Sequence, residues 1–109
     1  MRTLKFNVKD QILEQDPFCD FSGLVPGTKE YVRAMFSFSS EWNGCAKVVS
    51  FWSMLGKEYS PKMLSDGISC LIPAEALMKR AFKIQVMGKK DDLKIITNKI
   101  TIQQDGGKK

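Results

Sequence analysis

The chain has 109 residues and a net charge of +5, from 17 lysines and arginines against 12 acidic residues. Hydrophobic residues make up 43% and charged residues 27%, a globular balance that argues against disorder. No apolar run approaches the roughly 18 residues of a membrane helix, and the length suits one domain, assigned here to residues 1–105, with 106–109 as a frayed tail.

Period-two alternation, the mark of half-buried strands, begins at once. Leu4, Phe6 and Val8 share one face, with Lys5, Asn7 and Lys9 opposite. This start lacks the apolar stretch of a secretory signal, so the chain is expected to be made in the cytosol, and to stay there or leave as part of something larger. From Asp10 to Gly27 no period holds, and Phe18, Phe21, Leu24 and Val25 are expected to pack from a partly extended loop. Val32, Ala34, Phe36 and Phe38 then alternate with Arg33, Met35 and Ser37, the clearest strand in the chain. Asn43-Gly44 follows and predicts a hairpin, since both residues tolerate positive φ.

The strand expected over 45–54 is apolar on both faces, Val49 and Phe51 on one and Val48 and Trp52 on the other. Such a strand lies inside a sheet or faces a partner. Trp42 is expected to lie over the core like a lid. Trp52 is either core or an exposed anchor, and with Met54 and Tyr59 it forms the candidate protein interface. Asp66-Gly67 is a second turn, leading into Ile68, Cys70 and Ile72, which should share a face and bury Cys70. Pro73 stops that strand and opens one or two turns of helix to Lys79. Phe82, Ile84 and Val86 form the next strand, and Gly88 to Asp92 a polar hairpin tip. In the last element the apolar set changes parity between Ile95 and Ile96, which predicts a β-bulge. About seven short strands with regular turns indicate an all-β, antiparallel, immunoglobulin-like sandwich, with a small partly open barrel as the alternative.

There is no histidine, so catalytic arrangements that use imidazole as a base and the commonest zinc sites are excluded. The glycines are scattered and form no phosphate loop. Cys19, Cys45 and Cys70 form no Cys-x-x-Cys pair and are expected to be reduced. The sequence thus offers no evident tool for catalysis, no cofactor site and no metal site.

Charge is uneven. Residues 1–78 carry eight basic and nine acidic side chains, whereas residues 79–109 carry nine basic and three acidic. Lys79, Arg80, Lys89, Lys90, Lys94 and Lys99 make a candidate basic patch for an acidic partner or nucleic acid. The simpler role is to keep a sheet edge and its hairpin tip soluble. Lysine outnumbers arginine eight to one in this third and no aromatic residues alternate with it, which disfavours nucleic acid.

The stretch Phe36-Ser37-Phe38-Ser39-Ser40-Glu41-Trp42-Asn43-Gly44, followed by Lys47, Val49 and Phe51, resembles small structural modules of tailed bacteriophages and prophages. So do Cys70-Leu71-Ile72-Pro73-Ala74-Glu75-Ala76-Leu77 and Phe82-Lys83-Ile84-Gln85-Val86-Met87-Gly88, then Ile96-Thr97-Asn98. The resemblance covers about residues 25 to 104. It implies an immunoglobulin-like module of a tail, baseplate, head fibre or capsid decoration. Such a module works through contacts with other virion proteins or copies of itself, in the virion or host cytoplasm, without substrate, nucleic acid or membrane. The competing expectation is an intracellular binder of an acidic partner through the basic third.

Overall fold

In the computed structural model, residues 1–104 are described, and the expected 106–109 tail lies outside them. Nine strands and one short helix form two sheets around one core.

The first sheet contains β1 (Arg2–Lys9), β2 (Ile12–Gln15), β3 (Val32–Phe38) and β6 (Ser69–Leu71), in the order β2-β1-β3-β6. β1 and β2 form a hairpin whose tip, Asp10-Gln11, puts Asp10 at φ 54°. Aspartate tolerates that conformation better than most residues. β1 and β3 run parallel over seven pairs, from Arg2↔Val32 to Val8↔Phe38, so the expected purely antiparallel arrangement is corrected. A parallel pair needs a long crossover, and β2 with the loop beyond it supplies one. Phe21 and Leu24 of that loop pack on the core, whereas Phe18 is 97% exposed, contrary to its expected packing, and Val25 is also exposed.

The core of this sheet is a run of rings. Phe21 meets Phe6 edge-on at 5.4 Å, and Phe6 stacks on its register partner Phe36 at 5.2 Å. Phe38 continues the run, with Phe36 on one side at 5.8 Å and Trp42 on the other at 5.2 Å.

The expected Asn43-Gly44 hairpin is absent. β3 ends in the first sheet, and the next strand, β4 (Ala46–Trp52), belongs to the second. Between them a 3₁₀ turn, Ser40–Trp42, drops the Trp42 indole into the core, and Gly44 (φ 80°) turns the chain into the other sheet. Burial of one large side chain thus overrides the local turn preference.

The second sheet contains β4, β5 (Lys62–Met63), β7 (Ala81–Lys90), β8 (Leu93–Ile96) and β9 (Ile100–Gln103). Val49 and Phe51 of β4 and Phe82, Ile84 and Val86 of β7 face inward and are fully buried. β8 and β9 lie end to end along one edge of β7. Met87↔Ile96 and Ile84↔Ile100 are the pairs nearest the break, so two residues of β7 face three of the other segment. The predicted bulge therefore exists, at 97–99 rather than at 95–96. Thr97 plugs it, its Oγ1 accepting from Val86 N at 3.0 Å. Asn98 reaches across to the first sheet, accepting from Leu13 N at 2.7 Å and donating to Leu13 O at 3.2 Å. A side-chain amide thus completes the exposed edge of β2, a protection that edge strands need.

The helix, α1 (Ala74–Leu77), follows Pro73 as expected and buries Ala76 and Leu77. Gln104 caps it, its Nε2 donating to Leu77 O at 3.0 Å and Lys79 O at 2.6 Å. Cys19, Cys45 and Cys70 are free thiols. Cys70 is half-buried rather than fully buried, and Ile68, expected on its face, is exposed. Burial still pushes the Cys70 thiol up to about 12, with Lys62 pulling the other way.

The Asp66-Gly67 turn gives a pH-dependent prediction. Asp66 accepts from the Ser69 hydroxyl at 2.5 Å and from the backbone N–H groups of Ser69 (2.7 Å) and Ile68 (3.0 Å). These bonds, the hydroxyl first, hold its pKa down at about 2. The stability they supply is present above the ordinary value of 3.8 and is lost as pH falls through about 2. The melting temperature should therefore fall more steeply over that window in the wild type than in Asp66→Ala. Parallel curves in circular dichroism melts would contradict it.

Candidate protein-binding face

Because inward positions of β4 and β7 are set by period two, the residues between them must face outward. On β4 these are Ala46, Val48, Ser50 and Trp52, and on β7 Lys83, Gln85, Met87 and Lys89. Strand register then joins them into rows across the sheet. Met63 pairs with Val48, Val48 with Met87, and Met87 with Ile96. Four apolar side chains thus form one uninterrupted row on the outer face. Met63 is 66% and Ile96 43% exposed, with Val48 and Met87 half-buried between them.

The rows on either side differ. Toward the β7–β8 hairpin stand Ala46, Lys89 and Lys94, with Lys89 directly opposite Lys94. Like charges in that position repel, so intramolecular stability does not account for the pair. Toward the other end, beyond the polar pair Ser50 and Gln85, stand Trp52, Lys83 and Thr101. Lys99 reaches across and places its Nζ 3.7 Å from the centroid of the Trp52 ring, a cation–π contact. Trp52 Nε1 is buried without a hydrogen-bond partner among the described residues.

The structure separates the residues proposed from sequence. Trp52 is neither core nor bare anchor: it stands half-buried on the outer face beneath a lysine. Met54 is exposed close by, in the turn where Ser53 Oγ accepts from Leu55 N (3.2 Å) and Lys57 N (3.0 Å). Leu55 at the same turn is 98% exposed. Tyr59 does not join them. Glu58 bridges Trp52, so its neighbour Tyr59 turns to the opposite side and packs against the core.

The six basic residues do not form one patch. Lys89, Lys90 and Lys94 gather at the β7–β8 hairpin, while Lys79 and Arg80 precede the first residue of β7. The length of β7 separates Arg80 from Lys89, roughly 30 Å at about 3.3 Å per residue. Lys90 lies against Gly44, and Lys99 belongs to Trp52. What sequence reading missed is the apolar row. The outward phase of Met87 was readable, but its alignment with Val48, Met63 and Ile96 depends on register, which no local pattern encodes.

No protein-family model, curated protein or solved structure matches the chain. Fold and face together describe a small two-sheet β protein with a basic-rimmed apolar surface.

Proposed function

We propose that this chain is a non-enzymatic protein-binding module of a tailed-phage or prophage particle, and that it binds through the outer face of the second sheet. The row Met63–Val48–Met87–Ile96 carries the protein-binding part of this reading. Contiguous exposed apolar surface rimmed by polar groups is the usual mark of an interaction site. The particle part, and an immunoglobulin-like class for the two sheets, rest on the resemblance around Glu41-Trp42-Asn43-Gly44.

The test is association with purified particles, read by mass spectrometry and by pull-down of particle proteins. Met63→Glu with Ile96→Glu alters exposed side chains and should leave the fold intact. It should weaken partner binding by at least about tenfold, since burying an unpaired charge in an interface costs more than the 1.4 kcal/mol that a factor of ten represents. Trp52→Ala should weaken it comparably. Lys90→Glu, away from the row, should have little effect. If Lys90→Glu abolishes binding while the face variants are silent, the reading is wrong. Binding to nucleic acid with a steep salt dependence would replace it with the electrostatic alternative.

A further inference from the structure

Acidic residues are concentrated in one stretch of the sequence. Residues 10–30 carry Asp10, Glu14, Asp16, Asp20 and Glu30 against Lys29 alone, five minus one, a net charge of −4. The outer positions of β4, β7, β8 and β9, with Lys99, carry lysines and no acid, and Glu58, paired with Trp52, is an acid at the far end of the same face.

The acidic stretch also holds out apolar groups. Ile12 is 57% and Phe18 97% exposed. Phe18 is not on a loose loop. Asp16 Oδ1 accepts from its N–H at 2.9 Å, and Asp16 O accepts from Cys19 N at 3.0 Å. Beyond it, the Arg2 guanidinium donates to the carbonyls of Asp20 (2.9 Å) and Ser22 (2.5 Å), and Phe21 is packed on Phe6. The backbone that carries the ring is held between two anchored segments. Docking the ring therefore does not have to order the loop first.

The start of this stretch borders the face within one chain, with Gln11 donating to Ile96 O at 3.0 Å and Asp10 lining one hollow with Lys94, whereas Phe18, 97% exposed, packs on none of it. The stretch lies at the flank, where β2 meets the bulge through Asn98 and Gln11. Phe18 and the apolar row, which do not pack on each other within the chain, are complementary surfaces that can meet between copies.

Resting on the protein-binding reading of the face, we propose that its partner is the acidic 10–30 segment of a second copy. Phe18 docks on the apolar row, and the carboxylates face Lys89, Lys94, Lys83 and Lys99. Because the two surfaces differ, the contact is head-to-tail and generates a ring or an open chain of copies.

Sedimentation velocity on the full chain tests this. At low ionic strength the mass should rise with concentration beyond the dimer, and salt should reverse it by screening. Phe18→Asp alone, and Met63→Glu with Ile96→Glu, should each be monomeric with unchanged melting temperature. Mixed, the two variants should form a one-to-one heterodimer and stop there, because each retains one intact surface. A wild type that is monomeric at millimolar concentration, a dimer that survives Phe18→Asp, or a mixture without complex overturns the proposal. If face variants lose particle proteins while the wild type stays monomeric, self-association alone fails. If they lose nothing, the protein-binding reading fails with it.

Discussion

Trp42→Ala should unfold the protein or leave it barely folded. The indole is fully buried, and it joins three separate parts of the fold. Its ring extends the phenylalanine run from Phe38 at 5.2 Å, its Nε1 donates to Asp10 O at 2.8 Å at the β1–β2 tip, and β7 passes over it at Gly88. Removing a buried aromatic of this size costs about 3–5 kcal/mol in lost packing and residual cavity. The stranded Asp10 carbonyl adds to that. Small domains have about 5–15 kcal/mol in total, so the loss is a large share of it. At about 4 °C or more per kcal/mol, the melting temperature should drop by roughly 12 °C or more. Trp42→Phe should recover part of the packing but not the hydrogen bond. A soluble Trp42→Ala with an unchanged urea midpoint would contradict the packing described here.

What the sequence shows and what it conceals divide along a physical line. Alternation reveals a strand and its buried face, because period two is local and burial enforces it. Leu4, Phe6 and Val8, Val32, Ala34 and Phe36, and Phe82, Ile84 and Val86 are all buried as expected. The parity change near Ile96 likewise signalled a bulge, and only its position moved, because Thr97 and Asn98 supply the hydrogen bonds that stabilise it. β2 and β5 escaped notice. β2 buries only Leu13 of its four residues, and β5 has two residues, too few to show a period.

The errors are tertiary. Asn43-Gly44 has every local feature of a hairpin, and it fails because Trp42 gains more from the core than the chain loses by crossing between sheets. The parallel β1–β3 pair has no local signature at all. The same holds for the face. Trp52 and Lys99 lie 47 positions apart in sequence yet touch, because both flank β7. The six basic residues look like one patch in sequence, and the length of β7 pulls them apart.

Gly88→Ala should destabilise the protein although it adds one methyl group to a strand. The usual reason to need glycine does not apply, since among the described residues the positive-φ glycines are Gly23, Gly27, Gly44, Gly56 and Gly67, and Gly88 is not one of them. On backbone grounds alanine would even help, by restricting the unfolded chain by about 0.4–1 kcal/mol. Space decides the sign. A Cβ at Gly88 would stand 2.7 Å and 2.8 Å from two carbons of the Trp42 ring, and 3.3 Å from Cys45 Cβ. The ring cannot step aside, being packed on Phe38 and tied to Asp10. Overpacking a rigid site costs about 1–3 kcal/mol, which exceeds the entropic gain, and Gly88→Val should be worse. A double-mutant cycle isolates the cause. In a Trp42→Leu background the aromatic carbons are gone, so Gly88→Ala should cost little or stabilise, giving a coupling of about 0.5–3 kcal/mol between the two sites. Equal cost of Gly88→Ala in both backgrounds would mean that β7 needs its glycine for some reason other than the indole.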